Sequence, residues 1–360
     1  MTIAVALIFT LVLALAWANG ANDIAKGIAT LVGNGSTNAK KAVLWGTAWT
    51  ILGGLAAIIW GSALVKNFSS GYLAPEFQVT LAFVASTLIG AAGWVVFATR
   101  FALPVSTTHA LLGGLIGAAL VNAGADGLRT AAVTNKALLP LLVSPLIAIL
   151  LCAVLLMIMR MVAKKVPAWV PGCCDHDEWR KNPFACASAN NQLRPSVTTE
   201  RVWTAMHWIS SGSTSFARGL NDVPKIAAFL ILVMSLAPGS FETLDSLGKT
   251  WPIILVAFVM GMGSLWGGFR VLSLLAHRIT PLDASSGLIA NAGTSMLVLI
   301  ASPFGLPVST THVSTGALMG VRWTNKLKPQ RADALKLVLF GWVITLPVAA
   351  ALAALSALAL

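Results

Sequence analysis

The sequence predicts an all-α polytopic membrane protein made of two inverted-topology repeats, with broken or re-entrant helices and about ten crossings plus hairpins. Three observations predict it. Of 360 residues, 57% are hydrophobic and 10% charged, against roughly 25% charged in soluble domains, and mean hydropathy is +0.83. A heptapeptide occurs twice without change. Basic residues are distributed unequally between matched loops of the two halves.

Composition excludes soluble enzymes, nucleic-acid binders and disulfide scaffolds, because so little polar surface cannot solvate globular domains. The net charge of +12 is read as Lys and Arg marking cytoplasmic loops, not as a nucleic-acid surface. Cys173, Cys174 and Cys186 share one basic loop and, with Cys152, are expected to be reduced thiols. Ala16-Trp17-Ala18 resembles a signal-peptide cleavage site, but no Lys or Arg precedes Lys26. The opening segment is therefore expected to be a membrane helix.

The repeat is read from two motif pairs. Leu103-Pro104-Val105-Ser106-Thr107-Thr108-His109 returns as Leu306-Pro307-Val308-Ser309-Thr310-Thr311-His312, an offset of 203. Gly20-Ala21-Asn22-Asp23-Ile24-Ala25-Lys26 matches Gly219-Leu220-Asn221-Asp222-Val223-Pro224-Lys225 at an offset of 199. The expected units are a first transmembrane repeat at 1–160, a basic cytoplasmic linker at 161–201 and a second, inverted repeat at 202–360.

Apolar runs fall at 2–18, 22–33, 42–65, 79–99, 104–122 and 137–159, then at 203–216, 223–237, 251–275, 284–302, 306–321 and 335–357. At roughly 20 residues per crossing, runs such as 22–33 are too short to span alone, which predicts broken helices around the Asn-Asp motifs. Loop 34–41 carries +2 against −1 for 237–250, 66–78 carries 0 against +1 for 270–283, and 123–136 carries +1 against +4 for 322–336. The richer member changes halves, so by the positive-inside rule matched loops lie on opposite sides. An odd number of crossings per half follows. The chain is expected to be a multi-pass protein of the cell (inner or plasma) membrane, with both termini outside and the linker in the cytoplasm.

Asp23 and Asp222 are the carboxylates inside membrane segments, at the same repeat position. Ionisable groups there are costly and mark function. Lys26 and Lys225 follow one helical turn later, as internal salt-bridge partners, anion ligands, or fixed cations where another protein would hold Na⁺. Asn22 and Asn221 offer amides suited to a sodium ion or an oxyanion. In each heptapeptide the proline interrupts a helix and the serine caps the next. Ser106, Thr107, Thr108, Ser309, Thr310 and Thr311 thus surround helix N-termini that attract anions. His109 and His312 are read as core hydrogen-bonding groups or proton relays. Arg100 and Arg218 are read either as groups that attract anions or, the preferred reading, as snorkelling side chains at the membrane face. The constellation suits a small oxyanion. Phosphate fits better than sulfate, since at neutral pH it still carries a proton to share with a carboxylate.

These paired motifs closely resemble the inorganic phosphate transporter (PiT) family over nearly the whole chain apart from the linker. The resemblance implies an inverted-repeat symporter, not an enzyme, moving phosphate with Na⁺ or H⁺ by alternating access, as a homodimer. It implies that Asn22, Asp23, Asn221 and Asp222 serve the coupling ion and phosphate, and that the two Ser-Thr-Thr triplets hold phosphate. The family pattern Asn-Asp-x-Ala-Asn ends here in Lys in both halves, and Pro224 replaces the usual Ala. A lysine would displace Na⁺ electrostatically, which points to H⁺ coupling, with Na⁺ the other candidate and no further cofactor. A sulfate permease of the same family is the alternative substrate reading. A membrane-embedded hydrolase using Ser106 and His109 is disfavoured because the motif is duplicated. In the linker, Cys173, Cys174, His176 and Cys186 lack the usual zinc spacing, so no metal site is expected.

Overall fold

A hydrocarbon environment forces every backbone polar group to be satisfied internally, which leaves helices as the spanning element for these apolar runs. The computed structural model describes residues 2–165, 197–241, 247–248, 250–276, 284–325 and 332–360. Among them, nine helices are long and apolar enough to cross a membrane.

α1 (Ile3–Asp23) is capped by the Thr2 hydroxyl and runs into α2 (Ala25–Gly33) through Ile24, which keeps right-handed helical angles. Residues 3–33 therefore make one crossing with a hitch after the Asn-Asp pair. The matching α7 (Val197–Leu236) passes through Pro224 without interruption, so the break expected at the second motif does not form. α3 (Ala39–Trp60) starts from an Asn38 cap. α6 (Leu139–Lys165) and α7 both extend into the expected linker. Residues 166–196, with Cys173, Cys174, His176 and Cys186, lie outside the described residues. The second half continues with α8 (Thr250–Gly267), α9 (Ala284–Ala301), α10 (Thr310–Thr324) and α11 (Ala332–Ala359).

The heptapeptides form the tips of two helical hairpins. α4 (Leu81–Arg100) and α5 (Thr107–Ala123) flank the first, α9 and α10 the second. Each descending helix ends on a left-handed residue, Ala102 at φ 55° and Gly305 at φ 69°. The next amide folds back, Leu103 N–H donating to Ala98 C=O at 2.9 Å and Leu306 N–H to Ala301 C=O at 3.1 Å, a Schellman-type stop. Leu-Pro-Val then runs extended to the serine cap. Ser106 Oγ accepts from His109 N–H at 3.2 Å and Ser309 Oγ from His312 N–H at 3.3 Å.

The hairpins open at opposite ends of the bundle. Asn325 after α10 donates to Ser286 at the start of α9 and accepts from Arg160 near the end of α6. His207 near the start of α7 meets Asn34 after α2. That end gathers the flanks of the linker and of segments 34–41, 270–283 and 322–336, all net basic. At the other end, Ala74 N–H donates to Gly127 C=O, joining the segment before α4 to the segment after α5.

Packing exchanges partners between the halves: α1 lies on α8 and α7 on α3, while α5 lies on α11 and α10 on α6. Small residues permit this approach. A Cβ on Gly263 would come within 2.0 Å of the Trp17 carbonyl oxygen, and one on Gly53 within 1.9 Å of that of Phe216, the residue matching Trp17.

Candidate functional site

Asp and Lys three residues apart share a helix face, and both pairs close. Lys26 Nζ lies 2.5 Å from Asp23 Oδ1 and donates to the Val105 carbonyl at 3.2 Å. Lys225 Nζ lies 2.9 Å from Asp222 Oδ1 and donates to Thr108 Oγ1 at 2.6 Å and the Val308 carbonyl at 3.5 Å. All four side chains are buried. Each ammonium thus sits among carboxylate and hairpin-tip oxygens.

The neighbouring amides brace the tips. Asn22 Nδ2 donates to the Leu103 carbonyl at 2.8 Å and to Thr99 Oγ1 at 3.3 Å, and its Oδ1 accepts from Val105 N–H at 3.2 Å. Asn221 Nδ2 donates to the Val308 carbonyl at 3.0 Å and to Asp222 Oδ1 at 2.9 Å, while its Oδ1 accepts from Ser302 Oγ at 3.4 Å. Thr99 and Ser302 are matched positions one turn before each tip. The sequence reading passed over them because a hydroxyl inside an apolar helix usually bonds its own backbone.

The hydroxyl triplets divide into three roles. Ser106 and Ser309 cap their helices and also meet Nδ1 of His109 at 2.9 Å and of His312 at 2.6 Å. Thr108 Oγ1 donates to the Val308 carbonyl at 3.4 Å and Thr311 Oγ1 to the Val105 carbonyl at 2.8 Å, tying each tip to the other. Thr107 and Thr310, at the first helical positions, join the Asn19–carboxylate network: Thr107 Oγ1 accepts from Asn19 Nδ2 at 2.9 Å, and Thr310 Oγ1 donates to Asp23 Oδ2 at 3.5 Å.

Asn19 is a central residue that sequence reasoning missed. Its Nδ2 lies 3.4 Å from both Asp23 Oδ2 and Asp222 Oδ2, bringing the two carboxylates to one amide. Its spacing of four from Asp23 was the available signal. Its counterpart at the 199 offset is Arg218. Arg100 is exposed, as a snorkelling residue would be, whereas Arg218 is 1% exposed and lies inside the bundle. The membrane-face reading of Arg218 is therefore corrected. An arginine on a helix face shared with Asp222 turns inward with it.

A cavity beside the site is lined by Lys26, Thr30, Asn291, Thr294, Thr311, Ser314 and Thr315 among others. His207 Nε2 lies 3.0 Å from Thr30 Oγ1, and Asn291 Nδ2 donates to the same hydroxyl at 2.9 Å. The matched positions in the other half are Phe229, Leu88, Ala91, Leu111 and Leu112, all buried and apolar. One side of the site is lined for a hydrated polar species and the other is sealed.

Chemically, the site offers two internally neutral ion pairs, hydroxyls at two facing helix N-termini, and a buried guanidinium. Such a set binds an oxyanion by hydrogen bonds and dipoles. It does not align a single asymmetric nucleophile with a base.

Comparison with known proteins agrees with this chemistry. The chain is 29% identical to the "Probable low-affinity inorganic phosphate transporter" of Rhizobium meliloti, covering 98% of this chain and 93% of that protein. It is 24% identical to a protein of the same description from Mycobacterium leprae, over 97% of this chain and 77% of the relative. A solved structure, "The sodium-dependent phosphate transporter", superposes with a TM-score of 0.83 at 25% identity, covering 99% of both chains. The model of the phosphate transporter family matches residues 19–353, and the chain belongs to that family.

Proposed function

We propose that this multi-pass phosphate transporter is an H⁺-coupled symporter working by alternating access. In this reading Lys26 and Lys225 are tethered cations in place of Na⁺. The observation that carries the reading is the oxygen environment of the two ammonium groups. A carboxylate oxygen and a hairpin-tip carbonyl around each, with the Thr108 hydroxyl at Lys225, form the hard-oxygen donor set an alkali cation takes. A covalently held charge there makes a diffusible Na⁺ redundant. The related structure is described as sodium-dependent, which supports Na⁺ as the other coupling ion.

Phosphate rests between Thr107 and Thr310, where the dipoles of α5 and α10 meet. Ser106, Ser309, Thr108 and Thr311 keep those helix ends in place, and Asn22 and Asn221 position the tips. Asp23 and Asp222 take and release the coupling proton, held by their lysines when ionised. The exchange of packing partners between the halves and the two hairpins opening at opposite ends support an inverted-repeat relation of the kind alternating access uses. The basic end of the bundle is the cytoplasmic end, so the polar cavity is the inward route.

The test is uptake of radiolabelled phosphate into proteoliposomes under an inward pH gradient without Na⁺, with excess sulfate as competitor. Accumulation that collapses with the pH gradient and resists sulfate is expected. Uptake requiring added Na⁺ would refute the lysine argument, and competition by sulfate would reassign the substrate.

A further inference from the structure

Among the described residues five Asp, Glu, Lys or Arg side chains are buried: Asp23, Asp222, Lys26, Lys225 and Arg218. Two acidic and three basic groups leave a net charge of +1. Among the described residues, Asp23 pairs with Lys26 and Asp222 with Lys225, and Arg218 joins no salt bridge. Its Nη2 donates to Thr50 Oγ1 at 2.6 Å and to Ser264 Oγ at 3.4 Å. Its Nε and Nη1 find no hydrogen-bond partner among the described residues. A guanidinium needs its planar fork of donors satisfied, and a buried cation with open donors is strongly disfavoured unless an anion completes it.

The position of Arg218 relates it to the site. It lies four residues before Asp222, on the same helix face, and interacts electrostatically with both Asp23 and Asp222. Its counterpart Asn19 reaches Thr107 and both carboxylates from the same turn of the first repeat. The asymmetry between Asn and Arg is what makes the core cationic rather than neutral.

We propose that Arg218 is the charge-neutralising ligand of the transported phosphate, binding it as the singly charged dihydrogen form through donors that the protein leaves open. This deepens the phosphate reading and rests on it. With both carboxylates ionised, a monoanion brings the core to neutrality, whereas a dianion such as sulfate leaves one negative charge in a low-dielectric site. Nη1 keeps its N–H donors open, and the charge on the guanidinium strengthens each bond it gives to a phosphate oxygen. The Thr50 and Ser264 hydroxyls, on α3 and α8, act as positioning groups that fix Nη2 and aim the other donors.

The test uses purified full-length protein, its thermal unfolding followed across a titration of inorganic phosphate, with Arg218→Gln, Arg218→Asn and Arg218→Lys beside the wild type. The proposal expects the phosphate-free Gln and Asn variants to unfold at or above the wild-type temperature, because an uncompensated buried cation has been removed. It expects their apparent phosphate affinity to fall by about tenfold to a hundredfold, the loss of one or two charge-assisted bonds. Arg218→Lys restores part of the affinity. A merely structural arginine would give the reverse, with lower stability and unchanged phosphate response in the variants that fold. Unchanged affinity in Arg218→Gln overturns the proposal, as does failure of both neutral variants to fold without phosphate. A wild type whose unfolding ignores phosphate would instead sink the underlying phosphate reading.

Discussion

The imidazoles of His109 and His312 lie parallel, their centroids 4.4 Å apart and their planes 6° apart, and Trp342 stacks on the far face of His312 at 4.1 Å. Each ring is anchored to the serine that caps its own helix. The two heptapeptides are thus joined back to back, so neither hairpin tip can shift without moving the other. Each ring meets its serine through Nδ1, and the stacked pair is a packing unit at the mechanical centre of the site.

His109→Phe keeps a flat ring in the stack and removes one hydrogen bond. Stability is expected to fall by about 1 kcal/mol, with pH-driven phosphate accumulation retained. Accumulation abolished while facilitated exchange persists would identify a proton relay instead.

Lys225→Ala leaves Asp222 buried without its cation and should cost about 3–5 kcal/mol. Lys225→Asn restores the residue usual at this position of the family motif. Its unfolding temperature should rise in NaCl relative to choline chloride, a response absent from the wild type. Equal curves in both salts would count against the tethered-cation role.

Thr107→Val and Thr310→Val remove the hydroxyls that meet Asn19 and Asp23 while preserving shape. Each should weaken phosphate binding about tenfold, seen as a raised KM for uptake with little change in kcat. Loss of expression without change in KM would place these hydroxyls in folding.

Ala102 occupies a left-handed conformation that its repeat partner Gly305 adopts without a Cβ. Ala102→Gly should stabilise the protein by about 1 kcal/mol and Gly305→Ala destabilise it by about 1–2 kcal/mol. Differential scanning of the two variants checks the opposite signs.

In a background freed of native cysteines, Thr315→Cys lines the polar cavity and Leu112→Cys the sealed side. A membrane-impermeant maleimide should label Thr315→Cys from the basic end only and leave Leu112→Cys unmodified. Labelling of Thr315→Cys from the opposite end would reverse the inward route.

The membrane class, the duplication and the Asp–Lys pairs were legible in the residues themselves. They depend on local spacing, and a shared helix face follows from a separation of three or four wherever the helix is placed. The Leu-Pro-Val-Ser-Thr-Thr-His tips were legible for the same reason, as helix stop, extended segment and cap lie in seven consecutive positions. The break expected at Asn221-Asp222 was not realised, because Pro224 costs one backbone bond while α7 keeps its packing on α3 and α9. Propensity yielded there to tertiary contact.

What only the tertiary structure decided is which equivalent residues stop being equivalent. Sequence placed six hydroxyls at two helix starts and treated them alike. Packing assigned two to caps, two to ties between the tips, one to Asn19 and one to Asp23, since only the exchange of helices between halves brings Val105 to Thr311 and Val308 to Thr108. It also drew Arg218 inside the bundle and set Asn19 between Asp23 and Asp222. These are contacts across roughly two hundred residues of chain, and no local pattern encodes a distance between segments so far apart.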